Sequence, residues 1–278
     1  MPSHHFTVDV EEYFQVSAFE QIVDRATWPR FESRLDGAMT RLLELLDKAG
    51  ARGTFFVLGW VADRHPELVQ AIVRGGHEIA SHGWDHRKVT DLEPEEFRDS
   101  VRRTRALLEQ LTGHPVRGFR APSYSIVPGC EWALDVLVEE GYGYDSSLFP
   151  VRRPGGGYGY PGASPDPCWL ACGGGRLAEL PPATLSVGPW RLPAGGGAYF
   201  RLFPYSLIRS ALTACEHRGV PGTFYIHPWE IDPGQPRMSV PWWTQLRHYG
   251  GLARTEGRLS RLLREFRFGT MAETVAAL

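Results

Sequence analysis

Cysteine is scarce. The 278 residues contain four, Cys130, Cys168, Cys172 and Cys215, and a chain this long buries its apolar surface without disulfide staples. Cys168 and Cys172 stand four apart, but a zinc site needs two more ligands close by. Their Gly/Pro-rich neighbourhood offers none, so free structural thiols are expected. Charge of one sign is also missing. The formal net charge is −2 and no long basic run occurs, which removes any global pull toward nucleic acid. No apolar stretch approaches the ~20 residues that span a bilayer, so no integral membrane segment is expected. The opening MPSHHFTVDV lacks the basic start and apolar core of a secretory leader, and the chain as given reads as cytoplasmic. What remains is ordinary for a globular protein: 42% hydrophobic and 22% charged residues. The length suits one large α/β domain, although length alone also allows two.

Short β-type runs alternate with helical patterns. Residues 6–10, 53–58, 77–81, 118–120 and 223–226 read as strands. Residues 34–49, 66–74, 93–112, 129–140, 204–218 and 257–267 show helical spacing, several ending at a glycine. Alternation with a repeat of roughly 25–40 residues predicts a parallel sheet of βαβ units. Chemistry in such sheets sits at the carboxyl ends of strands. Four polar clusters fall at those ends, over residues 9–12, 81–86, 120–124 and 227–230. A barrel is the economical architecture, because it brings all four to one mouth. Residues 150–200 are rich in Gly and Pro and read as a loop-rich insertion, with room for a small hairpin.

In the run Ser81-His82-Gly83-Trp84-Asp85-His86, two histidines lie at i and i+4. On a helical turn both imidazoles reach one metal ion. A bare HxxxH is weak evidence, since both can be packing residues. The run lacks the Glu of metalloprotease HExxH. Asp9, Glu11 and Glu12 crowd the end of an apolar strand, which is costly unless they are paired or hold a cation. Alternation puts Asp9 and Glu11 on one side, although a solvated strand end is the plainer alternative. His227 titrates near neutrality and is a candidate general acid. Arg120 beside Asp9 would keep that carboxylate ionised and oriented. Either residue alone could equally be an ordinary ion-pair partner.

Together these motifs resemble the polysaccharide deacetylases of the NodB-homology type, carbohydrate esterase family four. The resemblance covers roughly residues 5–230, with the motifs in family order. The runs HPWE, DVEEYFQVSAF and GGGAYFRL, with His248-Tyr249, resemble a narrower subgroup found with bacterial exopolysaccharide export loci. That subgroup carries an additional C-terminal segment. The resemblance implies a distorted (β/α) barrel of seven or eight strands over a single domain, 1–278, with residues 231–278 as the extension. It implies a divalent cation on His82, His86 and Glu11, with Glu12 as the alternative carboxylate. Zinc is the first expectation, with cobalt, nickel or manganese as alternates. Asp9 maps to the base, Arg120 to the residue positioning it, and His227 to the acid. Asp145 is a loose match to an aspartate that tunes the acid.

The family's Arg-x-Pro-aromatic run is interrupted here by Ser123 before Tyr124, which leaves open which backbone N–H binds the oxyanion; the implied mechanism expects one near Ser123. Trp84, Trp229, Trp242 and Trp243 are candidates to stack on sugar faces, though core packing competes for each. The implied activity is release of acetate from an N-acetylated polysaccharide or oligosaccharide. Two rivals stand beside it. One is a non-haem iron oxygenase, which also uses two His and a carboxylate. The other is a catalytically silent sugar-binding protein on the same fold. Oligomeric state stays open.

Overall fold

The computed structural model describes residues 3–152 and 157–278. Residues 153–156, part of the predicted loop-rich stretch, lie outside them. The strands are β1 (His4–Val10), β2 (Thr54–Val57), β3 (Glu78–Ser81), β4 (Gly118–Phe119), β5 (Tyr144–Asp145), β6 (Cys168–Cys172), β7 (Gly175–Glu179), β8 (Thr184–Val187), β9 (Trp190–Pro193), β10 (Thr223–Ile226) and β11 (Phe268–Gly269). The helices are α1 (Leu35–Lys48), α2 (Gly59–Arg64), α3 (Pro66–Arg74), α4 (Pro94–Thr112), α5 (Trp132–Glu139), α6 (Gly197–Leu202), α7 (Tyr205–His217), α8 (Trp242–Tyr249), α9 (Leu252–Glu265) and α10 (Met271–Val275).

The main sheet runs β10-β1-β2-β3-β4-β5-β7-β6, with β11 paired to β1. All neighbours are parallel except the β6–β7 hairpin. Single bridges from Pro182 to Thr223 and from Gly196 to Tyr225 bring the chain beyond β7 alongside β10, so the curled sheet nearly closes. This is the distorted (β/α) fold expected. Every residue of β1 is buried, as a strand covered on both faces requires.

Alternation sorts side chains across the wall. Phe55 and Val57 of β2 face outward to the helices, packing with Leu42 and Leu46 of α1 and Ile72 of α3. Phe56 points inward and meets Ala80, Tyr144, Ala178 and Met271. The α1 helix forms because Leu35, Ala38, Met39, Leu42 and Leu46 repeat at helical spacing on its buried face. The α4 helix starts at Pro94, where the Glu96 carboxylate accepts the Glu93 N–H at 3.0 Å, and stops at Gly113 with φ 71°. At the amino ends of the strands Met271 plugs the interior, its N–H bonded to Thr54 Oγ1 at 2.9 Å. The carboxyl ends stay open. Among the described residues no helix is long and apolar enough to cross a membrane.

The 150–200 stretch corrects the loop expectation. It supplies β6 and β7, and β7 is a wall strand beside β5. Leu177, Ala178 and Glu179 are buried there, and the Gly173-Gly174 step between β6 and β7 is a tight hairpin connection.

Candidate functional site

The pocket opens at the carboxyl ends of β1, β3, β4 and β10, with a volume of about 380 Å³. Asp9, Glu11, His82, His86 and His227 line its floor. Their elements explain why they meet. Asp9 lies on β1 and Glu11 just past its end, His82 follows β3 and His227 follows β10, and β1 neighbours both β2 and β10.

Ligand atoms of Glu11, His82 and His86 all lie within 4.8 Å of one another. The expected helical turn for the two histidines is absent. Residues 82–86 form a non-helical loop, with Gly83 at φ 73° and His86 at φ 58°. The loop still turns both rings to one point. The His82 Nδ1–H donates to Arg120 O at 2.8 Å, which leaves its Nε2 lone pair for a ligand. Burial lowers the His82 pKa to about 4 and keeps the ring neutral. Burial also opposes charge on Glu11, but the surrounding imidazoles of His86, His227 and His82 outweigh it and bring its pKa to about 2. Glu11 Oε2 is buried 2.7 Å from His86 Nε2 yet takes no hydrogen bond from any described residue. An anionic oxygen and two imidazole nitrogens that converge on one point fit a divalent cation, and the pocket leaves room for water and a substrate oxygen. Glu12 is turned away: Ser33 Oγ–H and the Arg34 N–H at 3.2 Å hold its carboxylate outside this cluster.

Asp9 is 3% exposed. Its Oδ1 accepts from Arg120 Nη1 at 2.6 Å. Arg120 is fully buried and locked by Thr7 Oγ1 at 2.8 Å and Ser146 Oγ at 2.9 Å. The other Asp9 oxygen faces His227 Nε2 at 3.8 Å, with Glu11 Oε1 at 3.7 Å from the same nitrogen. Burial disfavours charge on His227, but Glu11, Glu230 and Asp9 override it and raise its pKa to about 9.

The group that holds His227 is not Asp145. Glu230 Oε1 lies 2.7 Å from His227 Nδ1, and Arg201 Nε donates to the other Glu230 oxygen. Asp145 does not line the pocket. It points toward β7, accepting from Ser147 Oγ and the Ser147 N–H, beside buried Glu179. A two-residue strand with both side chains buried turns it away from His227. Sequence reasoning placed Glu230 in a polar cluster without a role and missed Arg201. The available signal was the i, i+3 spacing of His227 and Glu230 directly after a strand.

Trp229 lines the pocket, and its indole N–H donates to Glu11 Oε1 at 3.0 Å. It is sandwiched between His227 (5.0 Å, 18°) and His248 (4.2 Å, 17°). Trp84 is elsewhere, under the Arg103 guanidinium at 3.3 Å and against Gly59.

Ser123 and Tyr124 sit in a tight turn with φ 56° and 55°. The N–H groups of Tyr124 and Ser125 close that turn on Ala121 O and Pro122 O, and the turn does not use the Ser123 N–H. Ser123 Oγ is 2.6 Å from Ser17 Oγ. Among the described residues the non-glycine positions with positive φ are His86, Ser123 and Tyr124, and all three line the pocket. Such conformations cost ~1–3 kcal/mol each and gather where a site must be held in one shape. Tyr124, Phe149 and Tyr225 form an aromatic wall of the pocket that also holds the Glu11–His82–His86 cluster. Gly196 allows that wall to close, because a Cβ there would lie 1.8 Å from Tyr225 O.

Residues 26–129 match the polysaccharide deacetylase family model, and residues 146–276 match a domain of unknown function, DUF3473. The peptidoglycan deacetylase-like protein FGM2 of Gibberella zeae is 38% identical over 39% of this chain and 32% of its own length. A chitooligosaccharide deacetylase of Bradyrhizobium is 35% identical over 34% of this chain and 42% of its own length. The match thus spans 32% to 42% of the length of these relatives. A Mycobacterium smegmatis crystal structure classed with the polysaccharide deacetylases superposes with a TM-score of 0.66 at 23% identity, covering 99% of this chain and 90% of that one. A Bacillus anthracis pseudoenzyme of carbohydrate esterase family four shares the fold with a TM-score of 0.52 at 15% identity, covering 98% and 65%. Residues 26–129 are thus similar to the polysaccharide deacetylase family of the NodB-homology type, and the chain shares the distorted (β/α) fold of those structures.

Proposed function

We propose that residues 1–278 act as one domain that hydrolyses N-acetyl groups on an amino-sugar polysaccharide of the exopolysaccharide type, releasing acetate. The observation that carries this reading is the meeting, in one pocket, of the Glu11–His82–His86 donor set with the Asp9–Arg120 pair and His227. The relatives named for peptidoglycan and chitooligosaccharide deacetylation favour an N-acetylated glycan over the iron-oxygenase chemistry open to the same donor set.

Glu11, His82 and His86 would hold the divalent cation, zinc being the first choice for a carboxylate and two imidazoles. Such a cation polarises the acetamide carbonyl and acidifies water in the pocket. Asp9 takes the proton of the attacking water, and Arg120 holds its carboxylate aimed into the pocket. The water oxygen bonds to the acetyl carbon, and the Ser123 N–H donates to the oxygen that becomes negative. His227 then gives its Nε2 proton to the departing nitrogen as the carbon–nitrogen bond breaks. The products are acetate and a free amino sugar. Glu230 fixes the His227 ring through Nδ1, so that Nε2 faces the pocket.

The test is acetate release from a panel of N-acetylated glycans, with metal and with chelator. Metal-dependent acetate with matching free amine supports the proposal. Oxygen consumption or co-substrate oxidation would point to the oxygenase instead.

A further inference from the structure

The α8 helix carries an uncommon surface. Trp242 is 72% exposed, Trp243 60% and Leu246 55%, whereas aromatics of this size are mostly covered in a lone globular domain. The same helix walls the pocket through Thr244, Arg247 and His248. At ~100° per residue, Trp243 lies about 40° from Arg247, just outside the arc of Thr244, Arg247 and His248 that faces the pocket, whereas Leu246 and Trp242 fall about 100° and 140° from Arg247. Trp243 and Arg247 are one turn apart, ~6 Å along the axis. Arg247 is exposed, and among the described residues its guanidinium has no ion-pair or hydrogen-bond partner.

The helix is held rigidly against the floor of the pocket. Arg201 donates to Arg247 O at 2.8 Å and to Gly250 O while its Nε holds Glu230. His248 stacks on Trp229 and bonds Gln235 Oε1 at 2.9 Å. A flat apolar ring beside a free guanidinium fork, continuous with the pocket wall, suits a sugar ring: its C–H face packs on the indole and its hydroxyls accept from the arginine.

We propose that Trp243 and Arg247 form a subsite outside the pocket that binds the sugar unit next to the one being deacetylated, so that the protein selects chains over isolated units. This rests on the deacetylase reading for the identity of the ligand as an N-acetylated glycan, and its test reads binding separately from turnover.

The zinc-loaded full chain carrying Asp9→Asn is titrated calorimetrically with N-acetylglucosamine as the single unit and as the oligomer of six units. The hexamer should bind at least about tenfold more tightly, equivalent to ~1.4 kcal/mol. Trp243→Ala should remove most of that advantage and Arg247→Ala part of it, while Trp242→Ala, on the far face, should retain it. Equal affinity for the single unit and the hexamer overturns the proposal, as does no binding of either, or equal effects of the two tryptophan variants. Loss of vesicle binding or of self-association in Trp243→Ala, without loss of hexamer preference, also overturns it and assigns the face to a bilayer or a second copy. Hexamer preference in a protein that releases no acetate leaves the subsite standing and removes the deacetylase reading instead.

Discussion

Asp9 and Glu11 stand two residues apart, yet their surroundings give them different chemistry. Asp9 is tied to a buried guanidinium and keeps one oxygen toward the pocket. Glu11 is ringed by imidazoles and held from behind by the Trp229 indole. On the proposed mechanism Asp9→Asn keeps metal content near wild type and cuts acetate release ~10²–10⁴-fold, the usual contribution of a positioned base. His82→Ala loses metal and activity together. Glu11→Gln should lower metal content while Glu12→Gln leaves it unchanged, because only Glu11 joins the donor cluster. Elemental analysis after dialysis checks all of these. Trp229→Phe keeps the ring stack but removes the donor to Glu11, and should weaken zinc affinity by ~10–100-fold. At this scale the sequence was largely legible. Asp9, Glu11, His82, His86, Arg120 and His227 are local motifs at strand ends, and all reach the site. Asp145 and Trp84 were misplaced because a residue's facing on a short strand or loop is decided by partners far along the chain.

Among the elements, α6, the Pro228–Ile231 turn and α8 are joined through Arg201. Its guanidinium reaches Glu230, Arg247 O and Gly250 O, so one buried side chain ties the holder of His227 to the helix walling the pocket. Arg201→Met would leave buried Glu230 with His227 alone as its counter-charge and free the carbonyls that Arg201 holds, a loss of ~3 kcal/mol. The thermal midpoint should drop by roughly 10 °C, and Glu230→Gln in the same chain should restore part of it. This triad was not legible, since Arg201 and Glu230 are paired by folding rather than by spacing. The hairpin allowed for in residues 150–200 is there, but the place of β7 in the main sheet escaped for a different reason. The hairpin's strands sit among so many glycines and prolines that turn signals masked the apolar alternation, and β7 earns its place in the wall only by packing beside β5. By contrast α1 and α4, with strong periodicity and clear stops, lie close to their predicted spans.

In the whole molecule, the sheet separates two ends with different duties. The carboxyl ends hold the pocket, and the amino ends are closed by Met271 and the network of Thr54, Glu78 and Tyr144. The C-terminal segment, expected as an extension, thereby completes the inside of the fold and also pairs β11 with β1. A second buried acidic pair lies in the wall. Burial raises the Asp145 pKa to about 6, and burial together with Asp145 pushes Glu179 well above the usual carboxylate range. Carboxyls raised in the folded state bind protons that the unfolded chain releases, so they oppose folding as pH climbs from about 4 through 6 and beyond. Glu179→Gln should therefore flatten the decline, with a higher thermal midpoint than wild type above pH 6 and little difference at pH 4, checked by thermal melts across pH.

The central claim is that this pocket removes acetyl groups with a metal held by Glu11, His82 and His86. The most direct measurement is acetate release from N-acetylated glycans by the full chain, before chelation, after chelation and after zinc is restored. The account predicts acetate equimolar with new free amines, lost on chelation and regained with zinc. Turnover unaffected by chelation, or a zinc-loaded chain that binds the glycans and releases no acetate, would contradict it.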